Sequence, residues 1–260
     1  MSAGGELNGR SVLVTGGTSG IGRAMALGLA RAGATVTVAS SSADKVRAAA
    51  EELGAPHCGV RVDVADEVSV RACVEEATSR LGRLDGVLHA AGRTHRAPLE
   101  ETALADWEGV VRVNLTGTFL MCREAGRVML GQEPLGPGGE RGALLLVASI
   151  QSFLAFEGTV AYAASKAAVA QLTRSLANDW SERGVRVNAL APGVFPTDLN
   201  RALIEGTARG ERILEHTPMA RFGEHEELVG AARYLLGPGA GFTTGAVLPV
   251  DGGFLARGVR

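Results

Sequence analysis

Cysteine is scarce in this 260-residue chain: there are three, Cys58, Cys73 and Cys122. Their odd number, wide scatter and lack of metal-ligand spacing point to core thiols rather than a disulfide framework or a zinc site. The five histidines cluster no better, so no metal is expected. Positive charge is not in surplus either. With a formal net charge of −2, no basic stripe is available to a nucleic-acid backbone or an anionic membrane. No apolar run reaches the roughly 18 residues of a membrane span, and the polar, Gly-rich stretch Met1 to Arg10 has no secretory apolar core. A cytoplasmic protein with no nucleic-acid and no membrane partner is expected.

What is present is enough apolar sequence for one large core. The composition is 46% hydrophobic and 21% charged, without a shift that would mark a second domain, so residues 1–260 read as one unit. Short β-branched runs alternate with Ala- and Leu-rich helical stretches, the pattern of βαβ units. The expected fold is α/β, a doubly wound, Rossmann-type parallel sheet of about seven strands with helices on both faces. Strands are predicted at Ser11 to Thr15, Thr35 to Ala39, Gly59 to Val62, Gly86 to His89, Ala143 to Ala148, Val185 to Leu190 and Ala246 to Val250. Two segments read as loops. Gly131 to Gly142, rich in Gly and Pro, is a surface excursion, and Phe195 to Thr217, polar and Arg-rich, is long enough for a mobile substrate lid.

Two local patterns carry chemistry. The first strand runs into Thr15-Gly16-Gly17-Thr18-Ser19-Gly20-Ile21-Gly22 and then into a helix. Gly16, Gly20 and Gly22 let the backbone turn tightly and approach a pyrophosphate, whose charge is favoured by free N–H groups at a helix N-terminus. Further on, Tyr162 precedes Lys166 by about one helical turn, which puts a phenol and an amine on one face. An ammonium beside a phenol stabilises the phenolate and makes it a usable acid and base near neutrality.

With these motifs the chain resembles the classical short-chain dehydrogenase/reductase family over nearly its whole length. The resemblance is carried in order by the glycine loop at 15 to 22, Asp63-Val64, His89-Ala90-Ala91-Gly92, Asn114, Ser149, Tyr162 with Lys166, and Pro192-Gly193. It implies hydride transfer between a nicotinamide cofactor and a carbon bearing oxygen, interconverting a secondary alcohol and a ketone. Tyr162 is then the acid/base and Ser149 holds the reacting oxygen. Lys166 lowers the Tyr162 pKa and binds the nicotinamide ribose, and Asn114 holds a water that relays protons to Lys166. The cofactor is expected along Gly16, Thr18, Ser19, Gly20, Ile21 and Gly22, at Ser40 and Ser41, and at Asp63 and Val64 for the adenine. Its nicotinamide half is expected at Ala90, Ala91, Gly92, Tyr162, Lys166, Pro192, Gly193, Phe195 and Thr197. His89 and Ala90 depart from the family's paired asparagines; His89 reads as a hydrogen-bonded interior residue.

Cofactor choice and substrate rest on fewer residues. Where NAD-preferring relatives carry an Asp and many NADP-preferring ones an Arg, this chain has Ser40 and Ser41, followed by Ser42. With no carboxylate to repel a 2′-phosphate, NADP(H) is favoured slightly over NAD(H). Segments such as Met25 to Ala30, Ile213 to Gly223 and Val250 to Arg257 are similar to those of sugar-acid dehydrogenases of the family, gluconate 5-dehydrogenase and 2-dehydro-3-deoxygluconate 5-dehydrogenase among them. A small hydroxy or keto sugar acid is therefore expected, with Arg96 taking a carboxylate and Ser149, Gln151, Tyr162 and Gly193 around the reacting carbon. The alternatives are a 3-oxoacyl thioester reductase, with Phe153, Leu154 and Phe156 on the acyl chain and Arg201, Arg209 and Arg212 as a carrier-protein patch, and a dinucleotide-binding protein without turnover. Relatives of this type imply a homotetramer, built on the helix from Thr159 to Arg183 with its Ala163, Ala164, Ala167, Ala168 and Ala170 face and on the C-terminal stretch.

Overall fold

A computed structural model of the chain describes residues 5–135, 138–198 and 200–258. Seven strands form one parallel sheet: β1 (Ser11–Thr15), β2 (Thr35–Ser40), β3 (Cys58–Arg61), β4 (Gly86–His89), β5 (Gly142–Val147), β6 (Val185–Pro192) and β7 (Val247–Val250). Their order across the sheet is β3-β2-β1-β4-β5-β6-β7. The predicted strands are all found, with ends displaced by a residue or two. The largest gain is in β6, which continues to Pro192 because β7 pairs along its last turn of residues, Ala189 with Val247 through Pro192 with Val250.

The strands lack polar alternation because both faces are covered. In β5, Leu144 and Leu146 point into a core shared with Val70, Cys73 and Val74 of α3 (Glu67–Leu81), with Met121 and Met129 of α5 (Gly117–Gly131), and with Val169 of α6 (Val160–Trp180). Ala143, Leu145 and Val147 point into the opposite core. There they meet Met25 and Leu29 of α1 (Gly20–Arg31), Ala49 of α2 (Ala43–Leu53) and Leu228 and Leu236 of α9 (Glu227–Leu236). This is the expected doubly wound arrangement. The order reverses between β1 and β4, and the crevice outside the carboxyl ends of those strands is where ligands of such sheets bind.

The segment 195–217, read as a loop, contains two helices, α7 (Arg201–Ile204) and α8 (Ala208–His216). The Thr207 hydroxyl caps α8 by accepting from the Gly210 N–H at 3.1 Å. Ile204 and Ile213 bury themselves with Ile150 and Phe254 in a small satellite core. Two apolar residues at a spacing that spans both helices gave no helical periodicity in the sequence, yet they dock the segment over the crevice. The 131–142 excursion is found between α5 and β5, its Gly136 and Pro137 lying outside the described residues. Between α3 and α5 lies α4 (Leu104–Val111), joined to α5 by a π-helical stretch, Arg112–Thr116, that carries Asn114. No helix of the described residues is long and apolar enough to cross a membrane.

Candidate active site

The turn from β1 into α1 is built on missing side chains. Gly16 has φ +69°, and a Cβ there would stand 2.7 Å from the Ala91 nitrogen; a Cβ on Gly22 would stand 2.2 Å from the Gly16 oxygen. The loop therefore lies against the Ala90–Ala91 backbone at the end of β4 with no room for a methyl group. Its N-terminal helix amides face the crevice, the arrangement that suits a pyrophosphate.

Across the crevice α6 supplies the titratable pair. Lys166 is 5% exposed, and its Nζ donates to the Val147 carbonyl at 2.5 Å, at the end of β5. The same ammonium lies 5.7 Å from the Tyr162 ring centroid. Burial pulls the Lys166 pKa down from 10.5 to about 8. Burial pushes the Tyr162 phenol above its ordinary 10.0, while a hydrogen bond with Ser149 pulls it the other way. The ammonium is committed to a backbone carbonyl and faces the ring, and it is Ser149 that favours the phenolate. Ser149 sits just after β5 and its Oγ also accepts from the Gln151 N–H at 3.1 Å. Gln151 is held in turn, its Oε1 accepting from the Thr159 hydroxyl at 2.6 Å.

Asn114 is fully buried behind this pair. Its Oδ1 accepts from the Arg93 N–H at 2.8 Å, and its Nδ2 donates to the Arg93 carbonyl at 2.9 Å and the Ser165 hydroxyl at 3.0 Å. Its backbone carbonyl accepts from Thr118 Oγ1 at 2.6 Å. The side chain braces the loop after β4 to α6. His89 is interior as expected. It is buried, its Nδ1 is 2.7 Å from Thr15 Oγ1, and burial together with the Lys166 charge pulls its pKa down to about 3, so the ring is neutral.

The sequence of these elements is matched by known proteins. A family model described as enoyl-(acyl carrier protein) reductase covers residues 16–255. The chain is 38% identical to a D-threitol dehydrogenase of Mycolicibacterium smegmatis, over 97% of this chain and 95% of that protein. It is 36% identical to a gluconate 5-dehydrogenase of Gluconobacter oxydans, over 95% of each. Among solved structures, a gluconate 5-dehydrogenase from Burkholderia cenocepacia in complex with NADP and tartrate superposes with a TM-score of 0.89 at 37% identity, covering 97% of both chains. The chain is a short-chain dehydrogenase/reductase. Its reaction class follows: it is an NAD(P)-dependent oxidoreductase acting on CH–OH groups.

In this dehydrogenase, every residue singled out from the sequence for the cofactor or for a sugar-acid substrate lines one cavity of about 560 Å³, and Asn114 lies behind its wall. The cavity fits a dinucleotide on its own chemistry. Besides the glycine cradle, the Ser40 hydroxyl is buried without a partner at the end of β2, where an adenosine ribose or its phosphate would supply one. Asp63 uses Oδ1 to accept from the Ala65 N–H at 2.9 Å and so shapes the turn that presents it. Thr197 lies across from Gly20, whose added Cβ would stand 3.4 Å from its methyl group. Phe195 is 6% exposed and packs its ring on Gly223, leaving its backbone to the cavity.

The cavity also includes residues the sequence reading missed. Lys45, in the first turn of α2, lines it beside Ser40, Ser41 and Ser42. Arg209 of α8, named from the sequence only for a carrier-protein patch, lines it as well, and only the docking of α8 brings it there. Of the apolar trio Phe153, Leu154 and Phe156, only Phe156 reaches the cavity. Phe153 is half exposed outside it, and Leu154 packs in the satellite core.

Proposed function

We propose that the protein interconverts a hydroxy sugar acid and its keto form with NADP(H), as a cytoplasmic homotetramer. The observation that carries the substrate reading is Arg96. It lines the cavity shared by Ser149, Gln151 and Tyr162, and its stem packs along Gly158, where a Cβ would stand 3.4 Å from Cγ. A planar fork there suits a carboxylate carried a few carbons from the reacting centre. Relatives named for gluconate support the same class.

When bound, the nicotinamide supplies or accepts the hydride. The chain's residues do the rest. Tyr162 gives a proton to the carbonyl oxygen in reduction and removes it from the hydroxyl in oxidation. Ser149 hydrogen-bonds that same oxygen and favours the Tyr162 phenolate. Lys166, held by Val147, places a positive charge against the Tyr162 ring, and the ribose of the cofactor would meet it there. Ser40, Ser41, Ser42 and Lys45 would receive a 2′-phosphate, with no carboxylate among them to repel it.

The thioester reading is the weaker one. Arg201 is paired with Glu205, Arg209 turns into the cavity, and two of the three apolar residues are elsewhere. The tetramer rests on α6, whose Ala164 and Ala167 are exposed while Ala170 packs inside the subunit; a monomer in sedimentation at micromolar concentration would remove it. The function itself is tested by screening C4 to C6 aldonates, polyols and oxoacyl thioesters with both cofactors. Turnover of an aldonate, reduced about 10² to 10⁴-fold in Tyr162→Phe, is the expected result. Turnover confined to polyols or thioesters would replace the sugar-acid reading.

A further inference from the structure

Several surface arginines are met by carboxylates: Arg23 by Glu52, Arg123 by Glu67 and Glu124, Arg221 by Glu227. Arg209 is not. It lies in the first turn of α8, where the positive end of the helix disfavours a cation. It is half-buried over the Phe156 ring, 5.9 Å from Cζ to centroid. The charges that face it are Arg96 from the loop after β4, Arg212 one turn further along α8, and the single carboxylate of Glu157. Burial and the two neighbouring guanidiniums both lower its pKa, against which Glu157 acts more weakly. Two cations, Arg96 and Arg209, and a helix N-terminus therefore converge at the substrate end of the cavity, on two separate elements, with Arg212 and the one carboxylate of Glu157 near Arg209.

Such an arrangement is costly until an anion enters. Arg96 and Arg209 line the same cavity as Tyr162, so the anion that relieves it arrives as part of a ligand in that cavity. We infer that Arg209 is a second specificity-determining contact, which with Arg96 clamps the carboxylate of the substrate between the β4 loop and α8. A neutral polyol would leave the two guanidiniums facing each other and gain nothing from the clamp. The inference deepens the sugar-acid reading and rests on it for the identity of the anion.

The test is calorimetric titration of the NADP⁺-saturated protein with D-gluconate and with its neutral counterpart D-glucitol, for the natural chain, Arg209→Gln and Arg209→Lys, alongside steady-state KM. Arg209→Gln is expected to weaken gluconate binding at least tenfold, with an effect on glucitol at least five times smaller, and Arg209→Lys to recover part of the loss. Equal gluconate affinity in the natural chain and Arg209→Gln would overturn the clamp, as would equal losses for both ligands. Arg209-dependent gluconate binding without turnover of any aldonate would sink the sugar-acid reading and leave the clamp. Aldonate turnover with Arg209→Gln unimpaired would sink the clamp alone. A natural chain that binds no aldonate would remove both.

Discussion

Asn114 closes both ends of its amide on one residue, accepting from the Arg93 N–H and donating to the Arg93 carbonyl, and so ties the loop that follows β4 to the helix carrying Tyr162 and Lys166. Three protein hydrogen bonds on a fully buried side chain make this a brace whose loss leaves backbone groups unpaired.

Asn114→Ala is therefore expected to cost about 1 to 3 kcal/mol of folding stability and to lower kcat by displacing the cavity wall at Gly92 and Arg93. Urea denaturation of the variant, compared with Asn114→Asp, checks it. The Asp variant keeps the acceptor for the Arg93 N–H and loses only the donors, so it should destabilise less if ionisation is avoided at low pH.

Lys166 titrates at about 8 in the fold and near 10.5 when unfolded. Between these values the unfolded chain binds the extra proton, so stability rises with pH across that window as the cost of burying the ammonium disappears. The shift corresponds to about 3 kcal/mol. In Lys166→Met that rise should be missing, and the variant should be inactive. Denaturation midpoints at pH 7.5, 9 and 10 for both proteins decide it; parallel curves would show that Lys166 is not buried as a charge.

His89 gives the acid limb. Its pKa of about 3 in the fold, against 6.5 unfolded, means that the unfolded chain takes up a proton first as pH falls, and stability is lost from pH 6.5 down toward 3. Replacing it with the family's residue, His89→Asn, keeps a polar group for Thr15 and removes the titration. The variant's midpoint should fall less steeply over that range than the natural chain's.

The adenosine end predicts cofactor preference. Ser40→Asp would set a carboxylate where a 2′-phosphate is expected, and should raise the KM for NADPH at least tenfold while leaving NADH within about threefold. Lys45→Ala should weaken NADPH in the same direction by less, as expected for an exposed cation. Equal NADPH and NADH kinetics in all three proteins would end the case for NADP(H).

The sheet and its crevice were legible because their signals are local. A short uninterrupted apolar run such as Gly142 to Val147, bounded by a Gly- and Pro-rich stretch, fits a strand covered on both faces, and the spacing of Gly16, Gly20 and Gly22 between such a strand and a helix suits a tight phosphate-binding turn. Tyr162 and Lys166 share a face by helical geometry alone. Order along the chain therefore determined the fold, the cofactor loop and the titratable pair. What those side chains face was decided by contacts between residues far apart in sequence. The Lys166 ammonium points at the Val147 carbonyl because α6 packs across β5. Asn114 turns to Arg93 because a π-helical stretch brings it under the β4 loop. Arg209 enters the cavity because Ile204 and Ile213, burying beside Ile150 and Phe254, dock α8 there. Hydrogen bonds and desolvation act over a few ångströms of space, and that distance exists only once the chain is folded.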